Sequence, residues 1–217
     1  RLPVDGLRPP QWPFQASVEG RYQSLPFRGS LSGALEEGVW AGRLQASGEH
    51  FYSLVPTLGQ GGAVTAEGHW RWGDNLSLLA GSRLSVGGTV NGTRLVKPLT
   101  LRVSEPLVIG EGGPTGALAV RAEGLVAERW TLPPVTGSAR LNGAAFQADL
   151  SVDQWGTRVS MRGRQGNAGL SGTVQGRSPL VPAMSRGLPL TTRAGDLLMD
   201  GRWQWRDAFQ VDGTLQG

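Results

Sequence analysis

The chain has 217 residues, a formal charge of +4, 34 glycines, two histidines and no cysteine, and only 18% of its residues are charged. This composition excludes a catalytic thiol, and it argues against a structural zinc site and against a solvated disordered chain. The basic residues are scattered singly, so we expect no nucleic-acid partner. No stretch reaches the ~20 apolar residues that a membrane-spanning helix needs.

Alternation of apolar and polar residues, the pattern of half-buried strands, dominates the chain. Clear runs occur, in chain order, at residues 14–19, 27–33, 64–72, 99–104, 118–123 and 146–153. Turn residues recur every ~8–12 positions, which is typical of an all-β meander. Short helical turns are predicted only at 50–58 and 179–190, where prolines limit their length. The predicted fold is all-β: a strongly coiled, mainly antiparallel sheet folded over an apolar face, with few short helical turns.

Two sequence phrases recur and indicate repeated hairpin units. The pattern acidic-Gly-x-Trp-x-Trp-x-Asp occurs at 67–74 and at 200–207, and each copy is followed by Gly-Thr-(Val/Leu)-x-Gly. We interpret 1–217 as a single all-β segment built in part from such units, at 67–92 and 200–217. Because the chain does not begin with methionine and ends within a strand pattern, we expect it to belong to a longer protein. A leader or an anchor would then lie outside this segment.

Many glycines lie inside the predicted strands, on the apolar side of the alternation. Glycine weakens a strand and marks bends or close approaches, so this number indicates a sharply coiled sheet. The sequence leaves two outcomes open: a sandwich or barrel closed around a sealed core, or a sheet whose apolar face stays open as a groove. The in-strand glycines are Gly29, Gly33, Gly42, Gly68, Gly88, Gly172, Gly201 and Gly213.

No combination of residues indicates catalysis. His69 lies on the polar side of its strand pattern, beside Glu67 and Arg71, as a surface residue would. The serines of 29–33 lack the strand–turn–helix context of a nucleophile elbow, and 110–114 lacks the lysine of a phosphate loop. We therefore predict a protein that is not an enzyme and that has no cofactor and no metal site.

One set of apolar residues is predicted to share a face of the sheet. Its tryptophans either fill a core or form a wide surface that contacts acyl chains, and the sequence leaves both interpretations open. Polar neighbours such as Arg71, Arg102, Arg121, Gln147 and Arg202 are expected to face water. The predicted lipid-facing candidates are Val64, Trp70, Trp72, Leu101, Leu118, Val120, Phe146, Leu150, Val174, Trp203, Trp205, Phe209 and Val211.

Glycine-punctuated strands, repeated Gly-Thr phrases and an Arg-rich polar face together resemble the bacterial AsmA-like, or TamB-like, envelope proteins. Residues 132–143 (Leu-Pro-Pro-Val-Thr-Gly-Ser-Ala-Arg-Leu-Asn-Gly) are most similar to the YdbH-like branch. The resemblance implies a β-groove or β-taco in a periplasmic protein that is anchored in the inner membrane outside this segment. It implies phospholipid transport between inner and outer membrane, with acyl chains as ligand and an outer-membrane lipoprotein as a partner. It transfers no individual site residue.

Two other function classes fit the same residues. The chain is also similar, in its glycine and tryptophan content, to protein N of the type II secretion system. That similarity implies a structural or assembly module of the cell envelope with a secretion-machine partner. A carbohydrate-binding or adhesin sandwich is the third class. Bound lipid would favour the conduit, and co-purification with secretion proteins would favour the assembly module.

Overall fold

The computed structural model describes residues 12–22, 25–36, 38–49, 62–90, 93–127, 130–166, 169–179, 195–205 and 209–216. Within these ranges the chain forms sixteen strands and one 3-10 turn, at Asp153–Trp155, so the predicted all-β class is confirmed. The segments predicted to hold helical turns, 50–58 and 179–190, lie outside the described residues, apart from Pro179. The strands are β1 (Trp12–Tyr22), β2 (Leu25–Glu36), β3 (Val39–Glu49), β4 (Gly62–Trp72), β5 (Leu76–Leu78), β6 (Arg83–Val90), β7 (Thr93–Gly110), β8 (Gly113–Ala122), β9 (Leu125–Ala127), β10 (Trp130–Leu132), β11 (Val135–Asn142), β12 (Ala145–Val152), β13 (Thr157–Gly166), β14 (Gly169–Pro179), β15 (Asp196–Trp205) and β16 (Phe209–Gln216).

All sixteen strands belong to one sheet, and every pairing within the described ranges is antiparallel, as predicted. The strands follow one another across the sheet in chain order. At three positions in this order, two strands lie end to end and together take the place of one strand: β5 with β6, β8 with β9, and β10 with β11. The sheet is therefore an up-and-down meander, and β1 and β16 are its two edges as described.

The longest strand, β7, continues past two prolines by shifting its register. It spans 18 residues. Against β6 one shift lies opposite Val86 and Gly88, where β7 contains Pro98. Against β8 there are two shifts, between Val103 and Glu105 and between Glu105 and Val108, and the second contains Pro106. Because proline has no N–H to donate, a strand ladder continues past it only through such a bulge. The neighbouring strand is interrupted beside the first shift, where the Val96 N–H donates to the Gly124 carbonyl (2.9 Å) between β8 and β9.

The strand register aligns the apolar residues of each strand with those of the next strand across the whole sheet. Paired positions from β1 to β16 form an unbroken line that holds only aliphatic residues, methionine and glycine, and we call this line the apolar row. The adjacent line on the opposite face runs from Glu19 to Gln216 and is polar at every position except Leu198. The apolar row consists of Val18, Gly29, Ala46, Ala66, Leu84, Leu101, Val120, Gly137, Leu150, Val159, Gly176, Met199 and Leu215.

Candidate functional site

The apolar face is partly open in the described part of the chain. Trp72 is 57% exposed, and Ile109, which shares its partner Leu76 in the register, is 43% exposed. Exposed large apolar side chains grouped in this way are typical of an interaction site. Near these residues the face therefore has the character of a groove rather than of a sealed core. The buried hydrophobic residues are Trp70, Val103, Ala117, Ala122, Val174 and Trp203.

A concave site lies on this face at β1–β5, and we call it the aromatic cleft. Its volume is about 540 Å³, which is within the ~300–1,000 Å³ range of small-ligand sites. Four aromatic residues and four leucines line it, so its walls carry no ionisable group. They are Phe14, Leu31, Trp40, Leu44, Trp70, Trp72, Leu76 and Leu78.

Trp70 forms the floor of the aromatic cleft. Its side chain is 3% exposed, and its indole N–H donates to the Arg43 carbonyl oxygen at 3.2 Å. Its ring centroid lies 5.9 Å from that of Phe14, which in turn packs edge-on against Trp40 at 5.3 Å. The polar atom of Trp70 is thus already bonded, and only its hydrocarbon surface faces the cleft.

Two glycines allow Phe14 and Trp70 to meet although β2 and β3 lie between their strands. Phe14, Gly33, Gly42 and Trp70 are paired in one line across β1–β4. A Cβ built on Gly33 would lie 2.9 Å from Cζ2 of Trp70 and 3.0 Å from Cε1 of Phe14. Any side chain at Gly33 would therefore displace the rings that form the cleft floor.

The structure puts all thirteen predicted lipid-facing positions on one face by register, but at different places on it. Only Trp70 and Trp72 line the aromatic cleft. Leu101, Val120 and Leu150 belong to the apolar row. The other described positions occupy neighbouring lines of the same face: Val64, Leu118, Phe146, Val174 and Trp203.

Three predicted positions at the β15–β16 hairpin stand apart. Trp205 and Phe209 are paired with each other in register, and their side chains lie outside the described part of the structure. Val211 is 50% exposed, so it is not shielded, and a place in the lining of a groove stays a prediction for it. The physical reason for its exposure is its place on β16, which has a described neighbour on one side only.

Sequence reasoning missed six of the eight cleft residues. Phe14, Leu31 and Trp40 lie in strands that the alternation or the tryptophans had marked, but nothing local shows that these strands adjoin β4. Leu76 and Leu78 lie in a three-residue strand that is too short for periodicity to detect. No local signal identifies these six residues, because their proximity depends on the register between strands.

The opposite face is charged and exposed. Glu123 accepts hydrogen bonds from Lys97 Nζ and Arg121 Nε, both at 2.7 Å, and these two bonds lower the pKa of its carboxyl. The Ser160 hydroxyl, at 2.6 Å, and then the Gln147 amide lower the pKa of Asp149. Both carboxylates are thus held ionised, which suits a solvated face rather than proton transfer near neutral pH.

His69 lies on this polar face, and its backbone has a structural role. Its side chain is exposed, and its backbone N–H and carbonyl oxygen both bond to Ser82 Oγ, at 3.1 and 3.2 Å. In the described ranges no group of three or more His, Asp or Glu side chains is arranged to hold a metal ion. Nor does any helix there have the length and hydropathy of a membrane span.

Comparison with known proteins adds no relative to these observations. No family model matches the chain, no curated protein matches it, and no solved structure matches it. Its function must therefore be inferred from the geometry described above.

Proposed function

We propose that the apolar face holds phospholipid acyl chains, as part of a non-enzymatic conduit in the periplasm between the inner and the outer membrane. The aromatic cleft is the observation that carries this proposal. A ligand that fills it must be apolar, because a polar group placed there would lose its hydration without gaining a hydrogen bond. Each methylene withdrawn from water contributes about 0.8 kcal/mol, so an acyl chain can be held without a headgroup pocket.

The apolar row supports a conduit rather than an isolated pocket. It crosses thirteen consecutive strand positions, and strands lie ~4.8 Å apart, so it offers a continuous apolar path on the order of 60 Å long. The path runs perpendicular to the strands. An acyl chain that leaves the aromatic cleft along this path meets Leu84, Leu101 and Val120 in turn.

Photocrosslinking from adjacent residues of one strand tests the proposal. Leu44 lines the aromatic cleft, whereas Gln45 is exposed on the opposite face. A photoreactive phenylalanine at Leu44, in protein exported to the periplasm of a Gram-negative host, should give phospholipid adducts, and the same group at Gln45 should not. Equal adduct yields from both positions, in protein shown to be folded, would contradict the proposal.

The exposed edge strand favours a second function, an assembly module of the cell envelope. All described side chains of β16 from Gln210 to Gln216 are exposed, and such an edge can pair with a strand of another chain. A protein partner that protects β16 from hydrogen exchange, together with no lipid adduct from Leu44, would support this second function in place of the first.

A further inference from the structure

The residue pattern of β1–β4, the strands that carry the floor of the aromatic cleft, recurs later in the sheet. In the first copy, Phe14, Gly33, Gly42 and Trp70 are paired across β1–β4. The same four residue types, in the same order, are paired across β12–β15. This second line consists of Phe146, Gly163, Gly172 and Trp203.

The two lines also agree in their contacts. Trp203 is 3% exposed, as Trp70 is, and its indole N–H donates to the Thr173 carbonyl oxygen at 3.0 Å. In both copies the acceptor residue directly follows the second glycine of the line. The ring centroids of Phe146 and Trp203 lie 5.5 Å apart. A Cβ built on Gly163 would lie 2.7 Å from Cε1 of Phe146 and would collide with the Trp203 ring, as at Gly33 in the first copy.

The neighbouring line of the sheet repeats as well. Two positions along each strand from the aromatic lines, the first copy has Ala, Leu, Leu and Gly, and the second has Ala, Met, Val and Gly. The phrase Phe-Gln-Ala opens both copies, at residues 14–16 and 146–148. The connection before the tryptophan strand contains Leu-Val-Pro in both copies, at 54–56 and 180–182. The repeated unit is therefore four strands, wider than the hairpins 67–92 and 200–217. The paired positions are Ala16, Leu31, Leu44 and Gly68 in one copy and Ala148, Met161, Val174 and Gly201 in the other.

The correspondence extends to the remaining walls of the aromatic cleft. Each wall position has an apolar counterpart at the equivalent register position of β14, β15 or β16. Trp40, Trp72, Leu76 and Leu78 correspond to Leu170, Trp205, Phe209 and Val211 respectively.

We infer that β12–β16 carry a second acyl-chain binding site, which we call the second station and which is equivalent to the aromatic cleft. One protein molecule would then hold two acyl chains at separate places on one face of its sheet. The inference rests on the proposed function and adds its stoichiometry and its second site. The counterpart positions carry no charge, and the Trp203 indole N–H is already bonded, so an apolar chain is the occupant that leaves no polar group unpaired. Eight strand spacings separate Phe14 from Phe146, or ~38 Å, which is too far for a single station.

The test uses the full chain and a lysophosphatidylglycerol whose single acyl chain carries a diazirine. After irradiation at saturating probe, intact mass should show two adducts per chain, and digestion should place them in β1–β5 and in β12–β16. Absence of adducts would overturn the proposed function together with this inference. A single adduct confined to β1–β5, or adducts spread evenly along the sheet, would leave the proposed function standing and overturn the second station.

Two variants make the assignment specific. Trp72 is 57% exposed and Val211 is 50% exposed, so Trp72→Arg and Val211→Arg leave the buried rings of Trp70 and Trp203 in place. Trp72→Arg should lower labelling of β1–β5 by about tenfold and spare β12–β16, and Val211→Arg should do the reverse, because each puts a charge beside one acyl chain only. Gln210→Arg, on the opposite face, is the matched control. If Val211→Arg lowers both stations equally, or lowers neither, the inference is wrong.

Discussion

The glycines paired beneath each tryptophan determine how closely the sheet and its aromatic rings approach each other. At Gly42 and at Gly172 an added Cβ would collide with the backbone of the neighbouring strand, at the carbonyl oxygens of Ser32 and Arg162. A backbone atom cannot rotate away as a side chain can, so neither position tolerates even alanine without moving a strand.

Gly42→Ala should therefore destabilise the fold by about 1–3 kcal/mol, the usual cost of overpacking. Gly29→Ala is the matched control, because Gly29 lies on the same face of the adjoining strand and its Cβ would meet only ordinary contacts, the nearest at 3.5 Å. Urea unfolding of both variants measures the difference. A Gly42→Ala protein as stable as Gly29→Ala would contradict the packing described here.

Glu123 should make stability depend on pH in acid. Lys97 and Arg121 lower its pKa below the ordinary value of 4.5, so the stabilisation is complete above that value and is lost as pH falls through the lowered native pKa. Glu123→Gln should be less stable than the wild type at neutral pH, and this gap should close in acid. Urea midpoints over a pH series test the expectation, with Glu111→Gln in the turn after β7 as control. A gap that stays constant down to the most acidic pH would contradict it.

At the scale of single residues, the sequence alone predicts which face of the sheet many side chains occupy. Alternation around Trp70 and Trp203 is enough to put both rings on the apolar face and Arg71 and Arg202 in water. It is not enough to reveal that Gly33 pairs with Gly42, because cross-strand register depends on the turns between strands and not on either strand alone. The exposure of Val211 depends likewise on the sheet edge, which no local pattern contains.

Among the elements, the break between β5 and β6 shows how one strand position of the sheet accommodates extra residues. The four residues of the break return to the sheet through hydrogen bonds to both neighbours: Leu79 N–H to the His69 carbonyl (2.8 Å) and Gly81 N–H to the Val103 carbonyl (2.8 Å). Ser82, which is 4% exposed, closes the break by bonding both backbone groups of His69. A single buried hydroxyl thus stabilises the junction.

Ser82→Ala should cost about 1–3 kcal/mol, because it leaves the His69 N–H in a part-buried place without this partner, whereas the His69 carbonyl keeps its bond from the Leu79 N–H. Ser85→Ala, three residues later and within β6, is the control and should stay within about 0.5 kcal/mol of the wild type. Thermal or urea unfolding distinguishes the two variants. Equal stability of both would show that water replaces the Ser82 hydroxyl.

The sequence predicts such elements by type better than by length. Leu99, Leu101 and Val103 correctly indicate a strand, yet the strand extends beyond both Pro98 and Pro106. A proline normally limits a strand assignment, and only the partner strands show that register shifts carry the ladder past it. The hairpin repeat is visible in the sequence, whereas the four-strand repeat, which overlaps it only at the tryptophan strands β4 and β15, is visible only in the register.

Across the whole molecule, each strand is stabilised chiefly by the strand before it and the strand after it. An interior strand such as β12 has hydrogen-bonded neighbours on both sides, whereas β1 and β16 have one described neighbour each. Opening at an edge therefore costs less free energy than opening in the middle.

Hydrogen exchange should follow this order. Amides of β16 should exchange at least about tenfold faster than those of β12, because a frayed edge strand gives up one ladder and an interior strand two. Mass spectrometry of peptides from a single digest measures both, and the β12 peptide serves as the internal reference. Equal protection of β12 and β16 in the isolated chain would indicate that β16 is covered by another part of the chain or by a second copy.

The chain-order meander also determines when each part of the sheet can form. A strand needs only its predecessor as a template, so β2 can dock on β1, and β3 on β2, while the later residues are still being synthesised. Loop closure involves only the connection between two successive strands, so its entropy cost does not grow with the number of strands already in place. Assembly time should therefore rise in proportion to strand number, and a chain of this design can be lengthened by further copies of its unit without becoming a slow folder.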